Sequence, residues 1–133
     1  MKNLLRLLLL IFFSNALISC DPSQHISFIN KTDFDVKIKI NLDPKVKDIQ
    51  LYQNAENDSI VYNLKKSDTA TLYCGIGTWS TNETVKFANS IKNIEIDTKD
   101  TKTIYKSKKA IKDILDKNIQ GILVKSLIEI NIE

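Results

Sequence analysis

The alternation of apolar and polar residues predicts β-strands along most of this chain. The clearest run is Phe34 to Leu42, where five apolar residues alternate with four polar ones. A period of two is typical of a strand with one buried and one solvated face. We expect this strand at the centre of a sheet, joined to strand 26–29 as a β-hairpin by the turn-rich residues 30–33. Shorter runs of the same kind cover residues 60–64, 69–74, 94–97 and 128–133, and residues 103–104 are a candidate for one more short strand.

Two segments have helical patterns instead. Residues 107–118 predict an amphipathic helix, and Gly121 is positioned to end it. Its apolar face is formed by Ala110, Ile111, Ile114 and Leu115. Residues 83–91 favour a short helix capped by one of the polar residues 80–82, while a strand through Val85 and Phe87 is the open alternative.

Several alternating strands and a late helix define the expected fold class. The length of 133 residues corresponds to about one domain. We predict a mainly β fold, namely a small antiparallel β-sandwich or open barrel with one C-terminal helix before the last strand.

The first residues have the composition of an export signal. Lys2 and Arg6 form a basic start, and the wholly apolar run Leu7 to Phe13 follows. A membrane-spanning helix needs roughly 18 or more apolar residues, so this run is too short to span convincingly. A basic start, a short apolar core and small residues before a cleavage point predict a secretory signal peptide.

The residues that end this segment, Leu17-Ile18-Ser19-Cys20, resemble the lipobox of bacterial lipoproteins. The resemblance implies a diacylglyceryl thioether on Cys20, cleavage after Ser19 and often N-acylation of the new terminus by a fatty acid such as palmitate. The expected organisation is therefore a removed signal peptide over residues 1–19, a lipidated tether over 20–25 and a single β-rich domain over 26–133.

Removal of the signal peptide changes the charge of the protein. The whole chain has 19 basic and 16 acidic residues, a net charge of +3. Lys2 and Arg6 lie in the signal, which contains no acidic residue, so the mature chain carries +1. Nucleic-acid binding usually requires a strongly basic domain or face. Because the mature chain is close to neutral, we predict no nucleic-acid binding.

The second cysteine, Cys74, has a less reactive interpretation. It shares one face of strand 69–74 with Ala70 and Leu72, where a free cysteine acts as a small buried apolar residue. A disulfide with Cys20 is the alternative for an exported chain, but acylation of Cys20 excludes it. His25 is the only histidine and lies beside the tether, so a catalytic Cys–His pair is not expected.

Three further features have two interpretations each. Asp58-Ser59-Ile60 and Asp68-Thr69-Ala70 resemble the tripeptides that are O-glycosylated at Ser or Thr in exported proteins of some Bacteroidetes. Trp79 is either a core residue or an exposed binding aromatic. The six lysines between Lys99 and Lys112 form either a solvated surface or a surface for anionic lipid headgroups or an acidic partner.

No metal-ligand cluster, phosphate-binding glycine loop or serine-nucleophile motif is visible in the sequence, so we predict no enzymatic activity, metal or cofactor. The body, with Ile-x-Phe-x-Asn-x-Thr from Ile26, an alternating strand after it, a Trp before a short helix and a late strand–helix–strand, resembles small uncharacterised β-sandwich lipoproteins of Bacteroidetes.

These resemblances imply a membrane-anchored lipoprotein of the bacterial cell envelope. We expect the outer membrane rather than the inner one, but Asp21 directly after Cys20 resembles the inner-membrane retention signal of enteric bacteria, so the membrane and its leaflet are left open. Its expected role is that of a binding or accessory module held on the lipid bilayer through acylated Cys20. The protein or glycan partner is left open. An inhibitor or immunity-type lipoprotein that blocks an envelope-targeting enzyme or toxin is one alternative, and an envelope enzyme with an unrecognised site is the second.

Overall fold

The fold is described by a computed structural model that covers residues 21–46 and 48–133. Within these residues the strands are β1 (Ser23–Asn30), β2 (Val36–Leu42), β3 (Ser59–Leu64), β4 (Thr69–Ile76), β5 (Ile91–Asp97), β6 (Lys102–Tyr105), β7 (Ile119–Gln120) and β8 (Leu127–Ile132). The helices are α1 (Ile49–Tyr52), α2 (Thr81–Ser90) and α3 (Lys108–Lys117).

The strands form two four-stranded sheets, so the predicted mainly β class is confirmed. The first sheet has the order β4-β1-β8-β7 and the second has the order β3-β2-β5-β6. Each sheet ends in edge strands, and the part of the chain that the structure describes contains no closed barrel. The pairing is antiparallel with one exception, because β1 and β8 run parallel, with His25 opposite Leu127. The architecture is that of a small β-sandwich.

The predicted hairpin between the first two strands is wrong. β1 pairs with β4 and β8, whereas β2 pairs with β3 and β5 in the other sheet. After Asn30 the chain crosses from the first sheet to the second. β1 and β2 therefore lie on opposite sides of one core, and each buries its apolar face there. The prediction that the alternating run occupies a sheet centre is confirmed, since β2 lies between two strands.

The core lies between the two sheets and is made of alternate residues of each strand. Ile26 and Phe28 of β1 and Ile38 and Ile40 of β2 are all at most 1% exposed. The Phe28 ring lies 6.4 Å from the ring of Tyr62, which joins the two layers. Burying one such side chain contributes roughly 1.5–3 kcal/mol relative to leaving it in water.

The two longer helices cover the sandwich beside β5 and β8. The ambiguous segment is helical, because the Ser80 hydroxyl accepts a hydrogen bond from the Glu83 N–H and caps α2. α3 contacts α2, β5 and β8, so it spans from one sheet to the other. Ile111 and Leu115 of α3 are fully buried there.

The expected role of Gly121 is wrong. α3 ends at Lys117, the N–H of Asn118 bonds to the Leu115 carbonyl, and β7 follows before the glycine is reached. Gly121 instead bends the chain between β7 and β8 with φ +100°. An added Cβ would collide there with the carbonyl oxygen of Val124, so only glycine fits this bend.

Candidate functional site

The end of the fold next to the predicted lipid anchor is held by backbone hydrogen bonds. Cys20 and Ser19 themselves lie outside the described residues. The N–H of Gly77 donates to the Pro22 carbonyl at 2.7 Å, and the N–H of His25 donates to the Ser126 carbonyl at 2.9 Å. β1 begins at Ser23, so residues 23–25 of the predicted tether belong to the sheet. The fold therefore holds the chain to within two residues of Cys20.

A cleft opens at this end, where β4 leaves the sheet and α2 begins. Its volume is about 380 Å³. The lining is mainly polar and includes Gln24, Asp48, Gln50, Glu83 and Lys86. Trp79, Phe87 and Cys74 contribute its less polar part. Two carboxylates, one ammonium and two amides give this cleft both hydrogen-bond donors and acceptors.

Two glycines shape the wall of the cleft. Gly75 has φ +129° and Gly77 has φ +127°, a backbone conformation that side chains disfavour. A Cβ on Gly75 would also come within 2.6 Å of the Gln50 side-chain oxygen. Gly75 therefore allows a close approach between β4 and the Gln50 side chain.

Cys74 lines the cleft but is not chemically activated. Its Sγ is half-buried and lies 3.5 Å from the Leu72 carbonyl oxygen. Burial, together with the nearby Asp48 carboxylate, raises the pKa of the Cys74 thiol far above its usual range. A reactive cysteine needs a lowered pKa, because the thiolate is the nucleophile.

Cys74 and His25 are not brought together. His25 is paired in register with Tyr73, and their rings lie 5.7 Å apart. Tyr73 is exposed whereas Cys74 packs against the hydrophobic core, so Cys74 faces away from this pair. The His25 ring instead lies 2.8 Å, Nε2 to Oγ, from Ser23.

Trp79 is a core residue, and its interpretation as an exposed binding aromatic is wrong. The side chain is 4% exposed and meets Phe87 edge to face, with 5.7 Å between ring centroids. Its indole Nε1 donates to the carbonyl oxygens of Ser126 at 3.1 Å and His25 at 3.3 Å. A buried indole usually finds such partners, and here one lies on β1 and the other directly before its neighbour β8.

The lysines between Lys99 and Lys112 are divided among separate partners. The Lys99 Nζ lies 3.9 Å from the Phe34 ring centroid, a cation–π contact. Lys102 pairs with Glu95 at 2.9 Å, Lys108 with Asp43 at 3.3 Å, and Lys112 with Asp116. The hydrogen bond from Lys102 lowers the pKa of Glu95. This arrangement favours a solvated, partly paired surface over one continuous basic patch.

The two predicted O-glycosylation sites differ in access. Thr69 is exposed at the start of β4. Ser59, at the start of β3, is half-buried and its hydroxyl donates to the Asn41 side-chain oxygen at 2.9 Å. Modification of Ser59 and Thr69 stays a prediction, and it would require Ser59 to give up this hydrogen bond.

One surface feature is not predicted by the periodicity. Ile122 and Leu123 are 95% and 94% exposed, and Val124 is 54% exposed, in the bend between β7 and β8. The signal in the sequence is a run of three apolar residues directly after Gly121, without the polar alternation of a half-buried strand.

Comparison with known proteins gives no relative from which a function could be carried over. No protein family, curated protein or solved structure was found to match this chain. Among the described residues, no helix has the length and apolar content needed to cross a membrane. Residues 21–46 and 48–133 also contain no group of three or more His, Cys, Asp or Glu side chains placed to hold a metal ion.

Proposed function

We propose that this chain is a lipid-anchored protein of the bacterial cell envelope that acts as a binding or accessory module. The observation that carries the proposal is the position of Cys20. It ends a segment with the pattern of a lipoprotein signal, and the folded domain begins at Ser23. A lipid on Cys20 would hold the domain at the bilayer with only Asp21 and Pro22 between them.

The strength of such an anchor depends on the number of acyl chains attached to Cys20. Each buried methylene contributes about 0.8 kcal/mol, and a single myristoyl chain binds only marginally. Two or three acyl chains on one residue would therefore keep the domain on the bilayer. Three residues of extended chain reach about 10 Å, so the end of the fold that contains Pro22 would lie against the membrane.

The polar cleft at this end supports the binding part of the proposal. Gln24 and Gln50 offer amide donors and acceptors, while Lys86 and Glu83 offer opposite charges on α2. This lining suits a polar ligand such as a peptide or a glycan better than an apolar one. A cleft of about 380 Å³ is within the size range of small-ligand sites.

Mass spectrometry of the protein purified from membranes tests the anchor. An N-terminal peptide beginning at Cys20 and carrying diacylglycerol is the expected result, and Cys20→Ala should leave an unprocessed chain. Cys74→Ala is the matched control and should be processed and acylated normally. A free thiol on Cys20, or a Cys20–Cys74 disulfide, would show that the anchor is wrong.

Site-specific photocrosslinking tests the binding module. A photoreactive amino acid at Thr78, which is exposed and lines the cleft, is expected to capture a discrete partner in native membranes. The control is the same group at Thr103, exposed on the edge strand β6 of the other sheet. Loss of the Thr78 adduct in a Lys86→Glu background would assign binding to the cleft. Identical adducts from both positions would count against it.

A further inference from the structure

The bend between β7 and β8 exposes three consecutive apolar side chains, Ile122, Leu123 and Val124. We call the segment Gly121–Lys125 the apolar loop. Single exposed apolar residues are ordinary on protein surfaces, but contiguous apolar patches mark contact surfaces. With 95% and 94% exposure, Ile122 and Leu123 have almost no contact with the rest of the described chain.

The strand directions place the apolar loop at the anchored end of the fold. β1 and β8 are parallel neighbours with His25 opposite Leu127, so the residues before each strand emerge at the same end. β4 is antiparallel to β1 and ends there too, with Ile76 opposite Ser23. Ile76 is 67% exposed and adds a fourth apolar side chain to this end.

The apolar loop is held in a defined shape. Gly121 has φ +100° and packs its backbone against the carbonyl of Val124, where no side chain fits. At the other side of the loop, the N–H of Trp79 donates to the Lys125 carbonyl. The exposed side chains are therefore presented between two fixed points.

We propose that the apolar loop inserts into the surface of the bilayer that carries the lipid on Cys20. This inference rests on the proposed anchor, because the anchor determines which surface this end of the fold meets. Cys20 is three residues from Ser23, a reach of about 10 Å, and the apolar loop emerges from the neighbouring strand. Apolar side chains of interfacial segments enter roughly 5–10 Å of the headgroup region.

One charge of each sign, Lys125 and Asp21, lies exposed beside the apolar loop. Lys125 is exposed at its C-terminal side and is positioned to contact headgroups. Asp21 lies at the same end and carries the opposite charge, so the attraction comes from the apolar residues supported by one lysine. The protein would thus be oriented by two contacts, the lipid on Cys20 and the apolar loop.

Fluorescence of the full lipidated protein in vesicles tests the insertion. Leu123→Cys, labelled with an environment-sensitive dye, is reconstituted into phosphatidylethanolamine–phosphatidylglycerol vesicles. The expected result is a blue shift of emission and quenching by a spin label on the lipid acyl chains. Asp35→Cys is the control, since this exposed residue lies in the loop after β1, at the opposite end of that strand. It should show neither effect.

The outcomes separate insertion from anchoring. If mass spectrometry of the same sample shows acylated Cys20 while the dye at position 123 stays in water, insertion is wrong and the anchor stands. If Cys20 is unmodified, both are overturned. A blue shift that rises with protein density, without quenching by the lipid label, would assign the apolar loop to a second copy of the chain and overturn insertion.

Discussion

The indole Nε1 of Trp79 donates a hydrogen bond to the carbonyl oxygen of Ser126, 3.1 Å away. The same nitrogen lies 3.3 Å from the His25 carbonyl, and the Trp79 backbone N–H bonds to Lys125. His25 and Ser126 belong to the neighbouring parallel segments at the end of the fold that contains Pro22. Trp79 therefore fixes the start of β1, which follows the tether, against the start of β8, which follows the apolar loop.

Trp79→Phe tests this arrangement. The phenyl ring keeps much of the packing against Phe87 but leaves the carbonyls of Ser126 and His25 without the indole donor. The Ser126 carbonyl keeps its hydrogen bond from the His25 N–H, so we expect only the net loss of the indole hydrogen bond, a decrease of about 0.5–1.5 kcal/mol in the free energy of unfolding. Because Trp79 is the only tryptophan, unfolding in urea should be followed by circular dichroism.

The control for this substitution is Tyr73→Phe, which removes a hydroxyl from an exposed aromatic residue of β4. We expect its unfolding midpoint to equal that of the unmodified protein. A Trp79→Phe variant that is equally stable would show that the indole hydrogen bonds do not hold the two strand starts together.

Asn30 is the polar residue on which the crossing between the sheets depends. Its side chain is fully buried, and Nδ2 donates to the carbonyls of Phe34 at 2.7 Å, Lys65 at 2.9 Å and Leu64 at 3.3 Å. Asn30→Asp has nearly the same shape but places a carboxylate oxygen against these carbonyls. We expect a loss of more than about 2 kcal/mol in the free energy of unfolding at neutral pH.

Asn63→Asp is the matched control, since Asn63 is exposed on β3 and receives the same chemical change. Its free energy of unfolding should stay within about 0.5 kcal/mol of the original. Denaturant unfolding of both variants compares them directly. Equal stability of the two would mean that the Asn30 amide is not needed for the crossing.

The contrast between β2 and Asn30 shows what the sequence reveals about the fold. Period-two alternation identifies the buried face of β2, because solvent and core select residue types one position at a time. It does not identify which strands pair, since any apolar face can be buried against any other. The hairpin prediction failed for this reason, and the turn-rich residues after Asn30 turned out to be a crossing between layers.

The candidate cleft was less predictable than the fold. Gln24, Gln50 and Lys86 come from distant parts of the chain, and no sequence motif distinguishes any of them. The glycines before Trp79 were visible, but their close approach to Gln50 follows only from the packing of α1 on β4. The apolar loop was visible as a run of three apolar residues, and its place at the end of the fold that contains Pro22 follows from the parallel pairing of β1 with β8.

The contact between the two longer helices should depend on pH. Asp116 of α3 accepts hydrogen bonds from Lys112 and from the Thr84 hydroxyl of α2. Partial burial opposes ionisation, but these hydrogen bonds outweigh it and hold the pKa of Asp116 below its ordinary value of 3.8. A lowered pKa in the folded state stabilises the fold above the unfolded pKa, and the contribution is lost as pH falls through the folded value.

We therefore expect the unfolding free energy to fall below about pH 4 and Asp116→Asn to reduce this dependence. Urea unfolding between pH 2 and pH 7 measures it. Asp113→Asn, on the same helix, is the control and should leave the slope more nearly intact. If Asp113→Asn reduced the slope as much as Asp116→Asn, the contact with Thr84 would not be its source.

Cys74 should react slowly with thiol reagents in the folded protein. Burial disfavours the thiolate, which is the reactive form, and the pKa of this thiol is raised accordingly. We expect modification near pH 8 to be many times slower than in urea-unfolded protein, measured by the release of thionitrobenzoate. Leu123→Cys is the comparison, because position 123 is exposed and its thiol should be modified rapidly without urea. Comparable rates for the two thiols in the folded state would contradict the burial of Cys74.

The burial of β2 at the sheet centre predicts that Ile38→Asp will prevent stable folding. Ile38 is fully buried between Tyr62 and Ile96, so the carboxylate would be unpaired in the core and cost about 4 kcal/mol or more. Ile38→Ala should fold with a loss of about 2–5 kcal/mol, which keeps the effect measurable in urea.

Val61→Asp is the matched control, because Val61 is 44% exposed on the edge strand β3 opposite Lys39. We expect its stability to change little. An Ile38→Asp variant that unfolds at the same urea concentration as Val61→Asp would show that β2 does not form the centre of the core.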